Sequence, residues 1–200
     1  MAALDSTSPN ESQPPEDIWA DRHVVVALSG GIACYKVATV VSRLTQAGAL
    51  VRVVMTEAAT RFITPLTFES LSGEPVASSL WDVRKNLESP HIALARWCEL
   101  FILAPTSADM LARLAAGICD DVVSLTACAL SAKTHVLLAP AMNEQMWENA
   151  ITQLNFNKVK TVLGYQTVGP GEGWQSCRTK GAGRMSEPEE ILAASAQLIK

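Results

Sequence analysis

The sequence predicts an α/β fold built on one parallel β-sheet. Short, continuously apolar segments alternate along the chain with longer segments that carry the periodicity of helices. Strands buried on both faces produce such continuous apolar runs, whereas half-exposed strands alternate apolar with polar residues. With 200 residues, 48% of them hydrophobic, the chain is long enough for a single domain with one substantial core.

The first βα unit is predicted near the start of the chain. Residues His23–Leu28 form an apolar, β-branched run that fits a buried strand. The loop 29–31, with the sequence Ser-Gly-Gly, separates it from a predicted helix over residues 32–47, and Gly48 then suits the helix C-cap. The apolar positions of this helix recur at helical spacing: Val37, Val40, Val41 and Leu44.

The same alternation predicts the rest of the domain. Three further strands are predicted at residues 51–55, 100–104 and 135–139. A last helix is predicted from residue 187 or 188 to Ile199, with Ser186 as its N-cap. Residues 1–20, rich in proline, serine and acidic residues, are expected to form a disordered tail, and residues 21–200 the folded domain.

Composition argues against several classes of partner. The net charge of −4 and the absence of a clustered Lys/Arg face argue against nucleic acid or an anionic membrane surface. No apolar run approaches the ~18 residues of a membrane span, and no basic region precedes an apolar stretch at the N-terminus. The five cysteines include no CxxC pair, so we predict reduced thiols in a cytoplasmic protein and no metal site.

Ligands of an open parallel sheet bind outside the carboxyl ends of its strands, which directs attention to the loops 29–32, 104–108 and 139–143. The Ser-Gly-Gly turn before a helix offers backbone N–H groups and close approach to a phosphate. The motif is neither Gly-x-Gly-x-x-Gly nor a Walker A loop, which favours a mononucleotide such as FMN. A tight turn without any ligand explains these glycines equally well.

Two polar side chains elsewhere are candidates for chemistry. His91 lies at a predicted helix start, where it can change protonation near neutral pH, although a lone histidine is more often a surface residue. Asn143 follows a predicted strand end, where its amide could bind a ligand carboxylate or simply cap the next helix.

The glycine-rich segment 169–185 is predicted to form a mobile lid that contains Cys177. The cations Arg178 and Lys180 flank this thiol and could favour its thiolate, giving an acid or a nucleophile. An idle cysteine in a flexible surface loop is nearly as compatible with the spacing.

Five motifs, in order, give the chain a resemblance to a known family. They are Ser-Gly-Gly-Ile-Ala at 29–33, Pro-His-Ile at 90–92, Gly-Ile-Cys-Asp at 117–120, Pro-Ala-Met-Asn at 140–143 with Met-Trp at 146–147, and Gly-x-Gly-Arg-Met-x-Glu-Pro at 181–188. From about Val24 to Ile191, the chain resembles the homo-oligomeric flavin-containing cysteine decarboxylases, especially the phosphopantothenoylcysteine decarboxylases.

The resemblance implies a flavodoxin-like (Rossmann-like) three-layer fold that assembles as a trimer or dodecamer. FMN would bind at subunit interfaces, with its phosphate on the first βα turn. The residues that the resemblance assigns to the cofactor are Gly30, Gly31, Ile32, Thr56, Glu57, Ala58, Ser107, Ala108 and Ala141.

The resemblance also implies the reaction and its residues. The substrate would be 4'-phospho-N-pantothenoyl-L-cysteine, decarboxylated to 4'-phosphopantetheine for coenzyme A through thioaldehyde and enethiolate intermediates. His91 and Cys177 would be catalytic, and Cys177 would protonate the enethiolate. Asn143, Ser176, Met185 and Arg96 would contact the substrate.

Two segments depart from the family pattern. Asp109 and Met110 replace an Asn-Thr pair near the flavin phosphate, where an acid repels phosphate unless it turns away or pairs with a cation. Arg178 replaces a glycine next to Cys177. Two other functions stay open: oxidative decarboxylation of a peptidyl cysteine, as in lantibiotic precursors, and a non-catalytic role as a flavin-binding regulatory protein.

Overall fold

A computed structural model of the protein describes residues 18–81, 89–174, 178 and 180–200. The predicted catalytic Cys177 and its neighbour Ser176 lie outside the described residues, as does the predicted tail up to residue 17. Trp19 is only 1% exposed and packs in the core, so the folded domain begins before the predicted boundary at residue 21.

The centre of the fold is a five-stranded, fully parallel sheet with the strand order β2-β1-β3-β4-β5. This confirms the predicted fold class and the four predicted strands, with ends that shift by one or two residues. The strands are β1 His23–Leu28, β2 Leu50–Met55, β3 Leu100–Thr106, β4 His135–Pro140 and β5 Gln166–Thr167. A separate antiparallel pair is formed by β6 Gly171–Trp174 and β7 Lys180–Arg184.

Helices cover both faces of the sheet and produce a three-layer arrangement. On one face α1, α3 and α9 pack against Val24, Val26 and Leu28 of β1. On the other face α4, α5, α6 and α8 pack against Val25 and Ala27 of the same strand. The helices are α1 Cys34–Gln46, α2 Glu57–Thr60, α3 Pro65–Ser72, α4 Pro90–Trp97, α5 Ala108–Ala116, α6 Val122–Cys128, α7 Glu144–Glu148, α8 Ala150–Thr161 and α9 Pro188–Leu198.

Three local predictions need correction. Helix α1 begins at Cys34 rather than residue 32, because residues 31–33 form a turn in which the Cys34 N–H donates to the Gly31 carbonyl at 3.1 Å. The N-cap of α9 is Glu187 rather than Ser186, since the Glu187 N–H donates to the Glu190 carboxylate at 2.8 Å. The predicted lid contains regular antiparallel strands in its described parts.

Within the described ranges, no helix is both long and apolar enough to cross a membrane.

Candidate cofactor and substrate site

Ser29 ties together two of the predicted ligand loops at the carboxyl edge of the sheet. Its buried hydroxyl donates to the Pro105 carbonyl at 2.7 Å and accepts from the Ser107 N–H at 2.8 Å. The Ser29 N–H also donates to the Pro105 carbonyl, at 3.2 Å. The loops after β1 and β3 are therefore held against each other by hydrogen bonds between groups that lie far apart in the sequence.

Gly30 brings the loop after β1 into contact with the loop after β2. A Cβ atom added at Gly30 would lie 2.6 Å from the Ala58 Cβ and 3.2 Å from the Ala58 carbonyl carbon. The φ angle of Gly30 lies outside the left-handed region, so the position requires glycine for space rather than for backbone conformation. At Gly31 an added Cβ would meet its nearest neighbour, Pro105 Cγ, at an ordinary 3.8 Å.

Three of the predicted contact residues are helix N-caps at the same edge. Thr56 accepts from the Ala59 N–H at 3.1 Å, Ser107 from the Met110 N–H at 3.1 Å, and Asn143 from the Gln145 N–H at 2.9 Å. Capping therefore fixes these side chains and starts α2, α5 and α7 beside one another. It also supports the simpler interpretation of Asn143 as a cap, although capping occupies only its side-chain oxygen.

The remaining predicted cofactor residues surround these caps. Glu57 and Ala58 are exposed at the start of α2, and Ile32 is 58% exposed on the loop before α1. Ala108 and Ala141 are half-buried, and the Ala141 N–H donates to the Thr106 carbonyl at 3.0 Å. All nine predicted cofactor residues thus belong to four loops that meet at one edge.

This edge has the chemistry that a phosphorylated flavin requires. Helices α1 and α5 both begin there, and the positive ends of their helix dipoles favour an anion. Because Gly30 has no Cβ, the loops after β1 and β2 lie in contact beside these helix starts. The described residues therefore fit a mononucleotide such as FMN.

Asp109 does not oppose this fit, because it is paired with a cation. Its carboxylate accepts a hydrogen bond from Arg113 Nε at 2.7 Å, one turn further along α5. The same guanidinium contacts Asp120 and lies 3.6 Å from the Asp121 carboxylate. Because its carboxylate is paired with Arg113, Asp109 can lie near a bound phosphate without repelling it.

Strand β7 packs closely on the loop that carries Asn143. The Met142 N–H donates to the Gly183 carbonyl at 2.9 Å, and the Ala182 N–H donates to the Glu144 carboxylate at 3.1 Å. A Cβ at Gly183, whose φ is +116°, would collide with the Met142 carbonyl, and one at Gly181 would collide with the Glu144 carboxylate. The Gly-x-Gly of the sequence motif therefore lets the glycine-rich segment approach the loop that carries Asn143.

Lys36 connects the first helix to the end of the same segment, a contact that the sequence analysis missed. Its ammonium group is buried and donates to the Met185 carbonyl at 3.3 Å and to the Glu187 carboxylate at 3.0 Å. Hydrogen bonding to Lys36 is the main cause of the lowered pKa of Glu187. The Met185 side chain is 2% exposed within the core, which favours a supporting role over the predicted substrate contact.

His91 and Arg96 lie on α4, which packs against α6, and not on the four loops. The His91 Nδ1 atom is 2.8 Å from the hydroxyl of Ser89, which orients the imidazole ring. Arg96 is exposed on the last turn of the helix. The structure thus brings the predicted cofactor residues and Asn143 together on four adjoining loops, while His91 and Arg96 lie on α4.

Arg178, the other departure from the family pattern, has a φ angle of +65°. This left-handed conformation is readily adopted by glycine and is unfavourable for residues with a Cβ atom. The glycine that the family pattern places at this position would adopt this φ angle without strain.

Comparisons with known proteins agree with this architecture. The Flavoprotein family model matches residues 12–200. The coenzyme A biosynthesis bifunctional proteins CoaBC of Haemophilus influenzae and Escherichia coli are 47% and 46% identical over 173 residues, which is 86% of this chain and 42% of each relative. The chain therefore spans less than half the length of these relatives.

Solved structures give the same result. A cysteine-to-serine mutant of PPC decarboxylase, complexed with pantothenoylaminoethenethiol, is 28% identical with a TM-score of 0.77, over 87% of this chain and 96% of that one. HAL3 from Cryptococcus neoformans is 30% identical with a TM-score of 0.76, over 90% of this chain and 97% of that one. With a family model that spans nearly its whole length, this chain belongs to the Flavoprotein family.

Proposed function

We propose that this chain is an FMN-dependent phosphopantothenoylcysteine decarboxylase, which converts 4'-phospho-N-pantothenoyl-L-cysteine to 4'-phosphopantetheine in cytoplasmic coenzyme A biosynthesis. The observation that carries the proposal is the meeting of four loops around Gly30 at the carboxyl edge of the sheet. The share of each relative that is matched supports it further: 96% of the PPC decarboxylase chain, but 42% of the bifunctional proteins.

The cofactor would be held by the loops after β1, β2, β3 and β4. Backbone N–H groups at the starts of α1 and α5 would bind its phosphate, and the contact of Gly30 with Ala58 would hold the loops after β1 and β2 together beside it. When bound, FMN supplies the hydride acceptance and return that decarboxylation of a cysteine moiety requires.

Asn143 would hold the substrate carboxylate. Its side-chain oxygen accepts from the Gln145 N–H at 2.9 Å, which fixes the plane of the amide. The Nδ2 group of that amide donates hydrogen bonds, and a carboxylate accepts them. We therefore assign Asn143 the orientation of the carboxylate before carbon dioxide leaves.

Cys177 would deliver a proton to the enethiolate carbon, which gives the saturated thiol after reduction. This assignment is supported by the mutant PPC decarboxylase, which lacks one cysteine and is complexed with an aminoethenethiol. Strand β7 follows Cys177 in sequence and packs on the Asn143 loop, so the thiol is connected to the substrate loop by a short length of chain.

His91 would act in the site of a neighbouring copy of the chain. It lies on α4 and not on the cofactor loops, and Ser89 orients its ring through Nδ1, which leaves Nε2 to hold or move a proton. A homo-oligomer, a trimer or a dodecamer, would bring α4 of one copy to the carboxyl edge of the next. Arg96, on the same helix, would reach the substrate across this interface.

The test is incubation of the flavin-loaded protein with 4'-phospho-N-pantothenoyl-L-cysteine, with the products followed by mass spectrometry. We expect loss of carbon dioxide and a saturated thiol from wild type, an unreduced enethiol from Cys177→Ser, and no product from His91→Asn. Mixing the two variants under subunit-exchange conditions should restore part of the complete reaction if His91 acts across an interface. Turnover of a peptide ending in cysteine, without turnover of the phosphorylated substrate, would contradict the proposal.

A further inference from the structure

A cavity of about 340 Å³ lies at the opposite edge of the sheet from the four predicted cofactor loops. Thr134 and Val136 line it at the start of β4, which places it at the amino-terminal edge. Two thiols line it as well: Cys119, between α5 and α6, and Cys128, the last residue of α6. Among the described residues, none that we assign to cofactor or substrate contributes to its wall.

The two thiols line the same cavity wall, and each lies within the electrostatic reach of the other. The pKa of Cys119 is raised to about 11, first by burial and then by a hydrogen bond with the Cys128 thiol and by repulsion from its charged form. Burial is the main cause of the raised pKa of Tyr165, and both thiols add to it. The Tyr165 hydroxyl donates to the Ala127 carbonyl at 3.4 Å, and this residue lines the same cavity. Cys119, Cys128 and Tyr165 therefore surround one small volume.

The loop that carries Cys119 is held at both ends. After α5 the Ile118 N–H donates to the Arg113 carbonyl at 2.9 Å, and Gly117 adopts a φ of +71° at the helix C-cap. Before α6 the Asp121 carboxylate accepts from the N–H groups of Val123 at 2.8 Å and Ser124 at 2.9 Å. These contacts fix the loop that carries Cys119 between the end of α5 and the start of α6.

The other two described cysteines have a different environment. Cys34 and Cys98 are buried in the core, and burial raises their pKa to about 11 and about 12 respectively. Thiols enclosed in the core are inert, because a small disulfide cannot reach them. Cys128, in contrast, is exposed at the mouth of the cavity.

We propose that Cys119 and Cys128 form a thiol-modification site that reacts with low-molecular-weight disulfides. The exposed Cys128 thiolate attacks one sulfur of the disulfide, forms a mixed disulfide and releases one small thiol. Cys119 then loses its proton to solvent and attacks the Cys128 sulfur, which releases the second small thiol. The protein dithiol is oxidised by two electrons to the Cys119–Cys128 disulfide, and the small disulfide is reduced to two thiols.

The cavity suits this chemistry because it offers room for the small-molecule half of the mixed disulfide. Its wall combines apolar side chains, such as Leu114 and Leu163, with the hydroxyl groups of Ser131 and Thr134. A metal site is disfavoured, since no group of three or more His, Cys, Asp or Glu side chains suited to a metal occurs among the described residues.

The test uses the full-length protein and oxidised glutathione. After incubation and blocking of remaining thiols, trypsin releases residues 114–133, which contain both cysteines and no internal Lys or Arg. We expect this peptide to be unblocked and lighter by two hydrogens in wild type and in the control Cys98→Ser. Cys119→Ser should instead accumulate one glutathione on Cys128, and Cys128→Ser should be modified about tenfold more slowly.

Two results would overturn the proposal. One is a wild-type peptide that remains fully reduced under conditions in which an unstructured cysteine peptide reacts. The other is a peptide that carries glutathione on both cysteines without an internal disulfide. Because the decisive readout comes from wild type, it does not depend on either variant being stable, and Cys177 is released in a separate peptide.

Discussion

Replacing Gly30 with alanine is expected to destabilise the protein through a single steric contact. The added Cβ would lie 2.6 Å from the Ala58 Cβ, whereas ordinary contacts of this kind are 3.4–4 Å. Relieving such a contact requires the two loops to separate, and overpacking of this kind costs about 1–3 kcal/mol. Separation of these loops should also weaken FMN binding.

The contact can be isolated with a compensating change. Ala58→Gly removes the closest atom and by itself should cost about 0.5–1 kcal/mol, as glycine does within a helix. In the double variant the nearest remaining atom is the Ala58 carbonyl carbon at 3.2 Å, which a small shift can accommodate. We therefore expect Gly30→Ala to cost about 1–2 kcal/mol less in the Ala58→Gly background than in wild type.

The assay is urea unfolding of the four proteins, accompanied by FMN titration monitored by flavin fluorescence. Gly31→Ala is the matched control, since its added Cβ would be 3.8 Å from Pro105 Cγ and should change stability by less than about 0.5 kcal/mol. The steric argument is refuted if Gly30→Ala costs the same in both backgrounds, or if Gly31→Ala is equally destabilising.

Three further predictions concern the glycine-rich segment 169–185 and the residues that follow it. Lys36→Met removes the hydrogen bonds to Met185 and Glu187 and should lower the free energy of unfolding by about 1–2 kcal/mol in a urea titration. This range is kept low because the Glu187 side chain is partly exposed to solvent. Lys36→Arg keeps the positive charge and should lose less stability in the same titration. The pKa of Glu187 is lower in the folded than in the unfolded protein, so its carboxylate stabilises the fold above the unfolded glutamate pKa, and this stabilisation is lost as the pH falls through the folded pKa. The difference in unfolding free energy between wild type and Glu187→Gln should therefore narrow in acid. Arg178→Gly should raise the unfolding free energy by about 1 kcal/mol by relieving a φ of +65°, and a loss of stability would contradict this explanation.

The sequence was sufficient to predict the strands of the sheet that are buried on both faces. In β1, Val24 and Val25 face opposite helical layers, and this is why the run is apolar without interruption. Strand β5 was missed because Gln166 and Thr167 are polar and form only two residues of ladder. Strands β6 and β7 were missed because they are rich in glycine, which is uncommon in strands. Most of these glycines are present because neighbouring residues leave no room for a Cβ atom.

The site was predictable in its composition but not in its contacts. The motifs identify the four loops, yet the bonds from Ser29 to Pro105 and Ser107 join residues more than 70 positions apart and depend on the strand order. Lys36 gave a usable signal, since it lies beside Val37 on the apolar stripe of α1, where an exposed lysine would not be expected. No local pattern indicates that Cys128 lies beside Cys119.

Helix α5 runs from the carboxyl edge of the sheet to its amino-terminal edge, and its length sets the distance between the predicted cofactor loops and the cavity of the paired thiols. Its start, at Ser107, belongs to the cofactor loops, and its end, at Gly117, lines the cavity of the paired thiols. Nine helical residues span about 13 Å, well within the range over which a flavin quenches or accepts energy from a nearby dye. A fluorophore attached to Cys128 would therefore report cofactor arrival in real time while it leaves the carboxyl edge unobstructed.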